Sequence, residues 1–157
     1  LGFYIHSKKT VSHPFGMLVA KTPVQTSLLN PAKSFKYKSY QITPLAEYEI
    51  EARVLSVHTY WWDEMSDLSP IDFAVGWNHM SDSTYLNRLD ISQGNRFYFY
   101  TWNQQAPLAP EEITSSSANM HLIPSDDTIK HQLMKIRPGE IALLKGIPAL
   151  APARSCG

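Results

Sequence analysis

Ser117, Asn119 and His121 occupy alternate positions of Ser115-Ser116-Ser117-Ala118-Asn119-Met120-His121-Leu122-Ile123-Pro124. Alternate side chains of a strand share a face, so a hydroxyl, an amide and an imidazole form one row, with Ala118, Met120 and Leu122 on the other face. Such a row can bind, catalyse or hydrogen-bond a neighbouring loop. Ser117 as a nucleophile with His121 as its base would require contact, yet four residues along a strand span about 13 Å. No Gly-x-Ser-x-Gly elbow is present, which further disfavours serine-type catalysis. Metal binding is the second chemistry, gathering His58, His79 and His121 with Asp72 and Asp82, or with Asp63 and Asp67, because imidazole and carboxylate ligands suit zinc, manganese or iron. No His-Glu-x-x-His spacing groups these ligands locally. The plainer reading is favoured: His58 lies on an apolar strand face, and His121 is a buried neutral imidazole satisfying loop carbonyls around residues 63–69.

A third option is stacking. Phe97, Tyr98, Phe99, Tyr100 and Trp102 follow one another closely enough to form a platform for bases or sugars. Fourteen basic residues balance fourteen acidic ones, however, and the aromatic run brings only Arg96. Without a basic groove the run reads as core beside Trp61, Trp62 and Trp77, and no nucleic-acid partner is expected. Lys33, Lys36 and Lys38, interleaved with Phe35, Tyr37 and Tyr40, read as an edge strand with charged outward positions. Cofactor identity is left open, since no Gly-rich phosphate loop occurs.

The elements that must position these residues come from one domain, because 157 residues suffice for a self-standing core. An apolar fraction of 43% excludes general disorder, while 11 Pro and the abundant aromatics favour strands over long helices. The lone Cys156 excludes an intrachain disulfide and a cysteine-rich zinc site. The start at Leu1, without Met, is read as a trimmed or processed terminus. Residues 1–34 read as an extended arm anchored by Phe15, Met17 and Leu18, residues 35–147 as the domain, and residues 148–157 as an irregular tail.

Within the domain, residues 45–61 read as a long strand: Tyr48, Ile50, Ala52 and Val54 share one parity and Glu49, Glu51 and Arg53 the other, while from Leu55 onward both parities turn apolar, which predicts a second half covered on both faces. Ser69-Pro70-Ile71-Asp72 carries a helix-start pattern that predicts a short helix through Trp77. Ser81-Asp82-Ser83 predicts a second one over Tyr85, Leu86 and Leu89. Residues 96–102 read as a central strand, and residues 103–116 as a loop broken by Pro107 and Pro110. Ser125-Asp126-Asp127 opens a third helix, with Ile129, Leu133 and Ile136 on one stripe, closed by Arg137-Pro138-Gly139 before a strand over 140–145.

The segments Asp67-Leu68-Ser69-Pro70-Ile71-Asp72-Phe73-Ala74-Val75-Gly76-Trp77, Met80-Ser81-Asp82 and Ser117-Ala118-Asn119-Met120-His121-Leu122-Ile123-Pro124, with Ile91-Ser92-Gln93 and Arg96-Phe97-Tyr98, resemble a family of uncharacterised bacterial proteins, often with an N-terminal membrane anchor. The resemblance covers roughly residues 40–146. It implies a setting in the bacterial envelope, periplasmic and membrane-anchored, with any anchor outside this chain, and it implies no activity. Proteins of that kind continue with another strand pair beyond Gly146, which the Pro-Ala-rich ending here does not match.

Together these features predict an α+β domain: an antiparallel, strongly twisted sheet, with partial closure into a barrel left open, carrying two or three short helices. The expected function is non-enzymatic, an envelope-associated binding or assembly domain whose arm or aromatic surface contacts a protein partner or a second copy. The alternative is a metal-dependent hydrolase using the His/Asp set.

Overall fold

The computed structural model describes residues 9–28, 30 and 32–151. In chain order these form β1 (Val24–Ser27), β2 (Phe35–Tyr37), β3 (Tyr40–Pro44), β4 (Ala46–Thr59), β5 (Ile71–Gly76), a 3-10 turn (Asn78–Ser81) and α1 (Ser83–Leu86). There follow β6 (Asp90–Gly94), β7 (Phe97–Thr101), α2 (Pro110–Ser115), β8 (Ser117–Leu122), α3 (Asp127–Lys135), β9 (Ile141–Gly146) and β10 (Ala149–Leu150). The chain is thus α+β, mostly antiparallel sheet with a few short helices, and the sheet does not close into a barrel.

β4 is the spine, as its long alternation predicts. Tyr48 and Glu49 pair with both β1 and β9, and Arg53 pairs with both β9 and β5, so β1 and β5 follow one another along the edge opposite β9. A register shift between Val54 and Ser56 lets β4 bend as it passes from one partner to the next. β8 extends the sheet beyond β5 in unbroken register. One sheet face carries Ile50, Ala52, Val54, Ile71, Phe73, Val75 and Ala142, packed against Leu133 of α3, and this is the main core. Over the second half of the opposite face lies a separate cluster of Met80, Leu108 and Ile113, roofed by Ile91, Tyr100 and Trp102 of the β6–β7 hairpin.

Four elements differ from the sequence expectation. Residues 71–76 form β5 rather than a helix: the strand is buried on both faces, so it shows no alternation, and the Ser-Pro start pattern outweighed its Ile, Phe and Val. Residues 97–101 are not a central strand but half of a hairpin with β6, alternating Phe97 and Phe99 outward with Tyr98 and Tyr100 inward. α2 begins where a loop was expected, with Pro110 in its first turn and Glu111 and Glu112 facing its positive end. β10 pairs with β3 inside the stretch read as irregular.

The arm is held mainly by polar contacts. Val19, not Phe15, Met17 or Leu18, is its buried anchor. Ser81 Oγ accepts the amides of Leu18 (3.2 Å) and Val19 (3.0 Å), and Asp82 Oδ1 accepts those of Gly16 (2.9 Å) and of Thr84 in α1 (2.8 Å). Val11 donates to the Pro138 carbonyl at 2.8 Å, a path so close to Gly139 that a Cβ there would lie 1.9 Å from the Val11 oxygen. Residues 1–8, Leu29, Pro31 and 152–157 of the expected arm and tail lie outside the described residues.

Candidate functional site: a buried carboxylate beneath an aromatic hairpin

Asp72, the second residue of β5, lies between His58 of β4 and His121 of β8, its direct cross-strand neighbours. Its side chain is 0% exposed. A carboxylate so placed persists only with compensating charge and hydrogen bonds. Oδ1 accepts from Nη1 of Arg96 at 3.2 Å. Oδ2 lies 2.9 Å from Nδ1 of His121, an ion-pair separation whose alignment makes no hydrogen bond, so this buried oxygen lacks a hydrogen-bond partner.

Arg96 is the hub. Its Nε and Nη2 grip both oxygens of Asp63 at 2.7 Å each, and Nη1 also donates to the Ser69 carbonyl at 2.7 Å. Its guanidinium stacks 3.6 Å from the centre of the Tyr60 ring. The hydrogen bonds from Arg96 hold the Asp63 carboxyl below its ordinary range. Burial raises the pKa of Tyr60, and the nearby Asp72 charge raises it further, against the hydrogen bond that its hydroxyl accepts from the Arg96 amide at 3.0 Å. Asn95 and Arg96 have φ of 50° and 67°, which together make a two-residue turn matching the twist of a hairpin. For an arginine this is a strained conformation, sustained by the contacts on every polar group of the residue.

The polar row of β8 forms the other half of the clamp. Asn119 accepts from Gln93 Nε2 at 2.7 Å and donates to the Arg96 carbonyl at 3.1 Å, tying down the hairpin on both sides of its turn. Ser117 donates to the Ile113 carbonyl at 2.6 Å and accepts from the Tyr98 hydroxyl at 3.3 Å. The three residues do share one face, but each turns to a different partner. Ser117 pairs across the sheet with Gly76 and His121 with Asp72, so no nucleophile and base meet.

Of the metal candidates, His58, Asp72 and His121 stand side by side across three strands. His79, on the 3-10 turn, instead contacts Glu112 of α2 and the Tyr85 ring, and Asp82 caps α1. Among the described residues, no group of three or more His, Cys, Asp or Glu side chains is arranged to hold a metal ion. Sequence reasoning missed Arg96, Tyr60 and Gln93 as partners of this row. The signal available was Gly94-Asn95-Arg96 between two alternating runs, a turn that folds the second run back on the first.

The outer surface of the same assembly is apolar. Phe97 and Phe99 are 65% and 52% exposed, and their cross-strand partners are Gly94 and Ser92, too small to cover the rings. Trp61 and Trp62, one and two residues after Tyr60, are 67% and 91% exposed. Comparison with protein-family models, curated proteins and solved structures found no match to the chain.

Proposed function

We propose that this protein is a non-enzymatic, envelope-associated binding or assembly domain that presents the Phe97/Phe99 face of its hairpin to a protein partner. The observation that carries the reading is the contrast within one assembly: most of the polar groups are engaged by one another, while two large rings face outward over small neighbours. Aromatic groups ordered before binding cost little entropy to immobilise and commonly anchor protein interfaces. The envelope setting is supported by the sequence resemblance alone. No helix among the described residues is long and apolar enough to cross a membrane.

A photo-reactive residue in place of Ser92, beside Phe99, tests this in cells. A discrete adduct with a protein or a second copy is expected, lost in the Phe97→Ser/Phe99→Ser variant and absent when the probe replaces Lys135 on α3. Equal adducts at both positions, or none at position 92, contradict the reading. The hydrolase alternative predicts stoichiometric metal in the purified protein.

A further inference from the structure

Two hollows meet at the last pair of the β4–β9 ladder, Tyr48 and Gly146. One, of about 340 Å³, is apolar, lined by Met120 and Leu122 of β8, Ile129 and Leu133 of α3, and Leu144 and Ile147. The other, of about 590 Å³, draws its charges from Lys21, Glu47, Glu49 and Lys145. Tyr48, Lys145, Gly146 and Ile147 line both, so the two hollows are contiguous. Gly146 leaves their junction open: nothing lies within 4 Å of where its Cβ would stand. Tyr48 is partly buried there, and among the described residues its hydroxyl makes no hydrogen bond. Burial raises its pKa, so the phenol keeps its proton to offer. Lys145 and Lys21 reach the two oxygens of Glu49 at 3.0 and 3.3 Å, and their hydrogen bonds, that of Lys145 foremost, hold its carboxyl below the ordinary range. Two ammonium and two carboxylate groups thus leave the polar hollow without net charge.

We propose that the joined hollows bind a single-chain amphiphile with a zwitterionic head, of the lysophospholipid type. Its aliphatic chain lies against Leu133 and Leu144, and its phosphate and ammonium meet the lysines and glutamates. Between them the Tyr48 hydroxyl donates to an ester or hydroxyl oxygen, which supplies the partner that a partly buried phenol ordinarily finds. Both volumes fall in the range of small-molecule sites, roughly 300–1,000 Å³, and an apolar cavity with a few polar groups to fix orientation is their usual composition. The balanced charge selects the head. A fatty acid or a cationic amphiphile brings one charge, and half of the charged groups in the polar hollow oppose it. An apolar peptide side chain would fill the first hollow and leave the charged one unmatched. The proposal goes beyond the protein-partner reading and uses different residues.

Isothermal titration calorimetry with decanoyl-lysophosphatidylcholine at monomeric concentrations tests it, with decanoate, decyltrimethylammonium and decanol as probes of the head. Saturable binding at a single site is expected, roughly tenfold tighter for the zwitterion than for any of the other probes. Gly146→Leu, entering open space, should keep the melting temperature and lower affinity roughly tenfold by filling the junction. Tyr48→Phe should lower it about fivefold, also with an unchanged melting temperature, because the hydroxyl leaves no partner behind. Lys21→Gln/Lys145→Gln should erase the preference for the zwitterion over decanol. Phe97→Ser/Phe99→Ser should bind like the parent, so failure here and failure of the protein-partner reading are separable. Absence of saturable binding, equal affinity for all the probes, tighter binding of decanoate or decyltrimethylammonium, or undiminished binding by Gly146→Leu would each overturn the proposal.

Discussion

Arg96 spends its charge on two carboxylates of unequal exposure, and the two should respond differently to mutation. Arg96→Ala leaves the buried Asp72 carboxylate without its cationic partner and is expected to cost about 3–5 kcal/mol, measured by chemical denaturation. His121→Ala removes a half-exposed imidazole that makes no aligned hydrogen bond, and about 1 kcal/mol is expected. A larger loss for His121 than for Arg96 would reverse this ranking. Asp63 predicts the acid response. Its folded-state pKa is depressed from the ordinary 3.8, so it stabilises the fold above that value and loses the contribution as pH falls through its lower folded value. Denaturation midpoints should drop below about pH 4, and Asp63→Asn should flatten that drop. The shared face of Ser117, Asn119 and His121 was legible from parity alone. Asp72 is a candidate ligand with His58 and His121 by residue type, but neither its place beside them nor that of Arg96 was legible, because strand pairing and a reversing turn bring these residues there from 49 and 25 positions before His121 and no local spacing records that.

Helix and strand signals competed most strongly between Ser69 and Trp77, and the outcome explains Gly76. As a strand, β5 delivers Gly76 against the 3-10 turn so closely that a Cβ would lie 2.2 Å from the Met80 carbonyl oxygen. Gly76→Ala must therefore displace backbone, and a loss of about 1–3 kcal/mol is expected, read as a lower melting temperature. An unchanged melting temperature would mean that the turn gives way freely. β4 was legible because its first half alternates, with Ile50, Ala52 and Val54 buried between Glu49 and Glu51, and because both parities turn apolar in its second half. α3 was legible from Asp126, whose side chain does cap the helix by accepting the Ile129 amide at 2.8 Å. Arg53 was placed on the outward parity, yet it is buried: the 3-10 turn and α1 cover it, and it donates to the Ser81 carbonyl and the Ser83 hydroxyl. Parity reports which face a residue takes, and a later segment decides whether that face stays open.

At the scale of the molecule, residues 67–77, 80–82, 91–98 and 117–124 mostly meet around one construction. Ser69, Asp72, Gln93, Arg96 and Asn119 bind the hairpin to the sheet, and Ser81 and Asp82 bind the arm to the 3-10 turn and α1. Their polarity serves assembly of the fold, and the Phe97 and Phe99 rings of the hairpin they hold face outward. The role of the polar row is most directly measured by hydrogen exchange in Asn119→Ala. Amides of residues 91–100 should exchange at least tenfold faster, those of β4 and β5 should keep their protection, and the photo-adduct at position 92 should weaken in parallel. A hairpin that stays as protected as in the parent, or a loss of protection spread evenly over the sheet, would contradict the account.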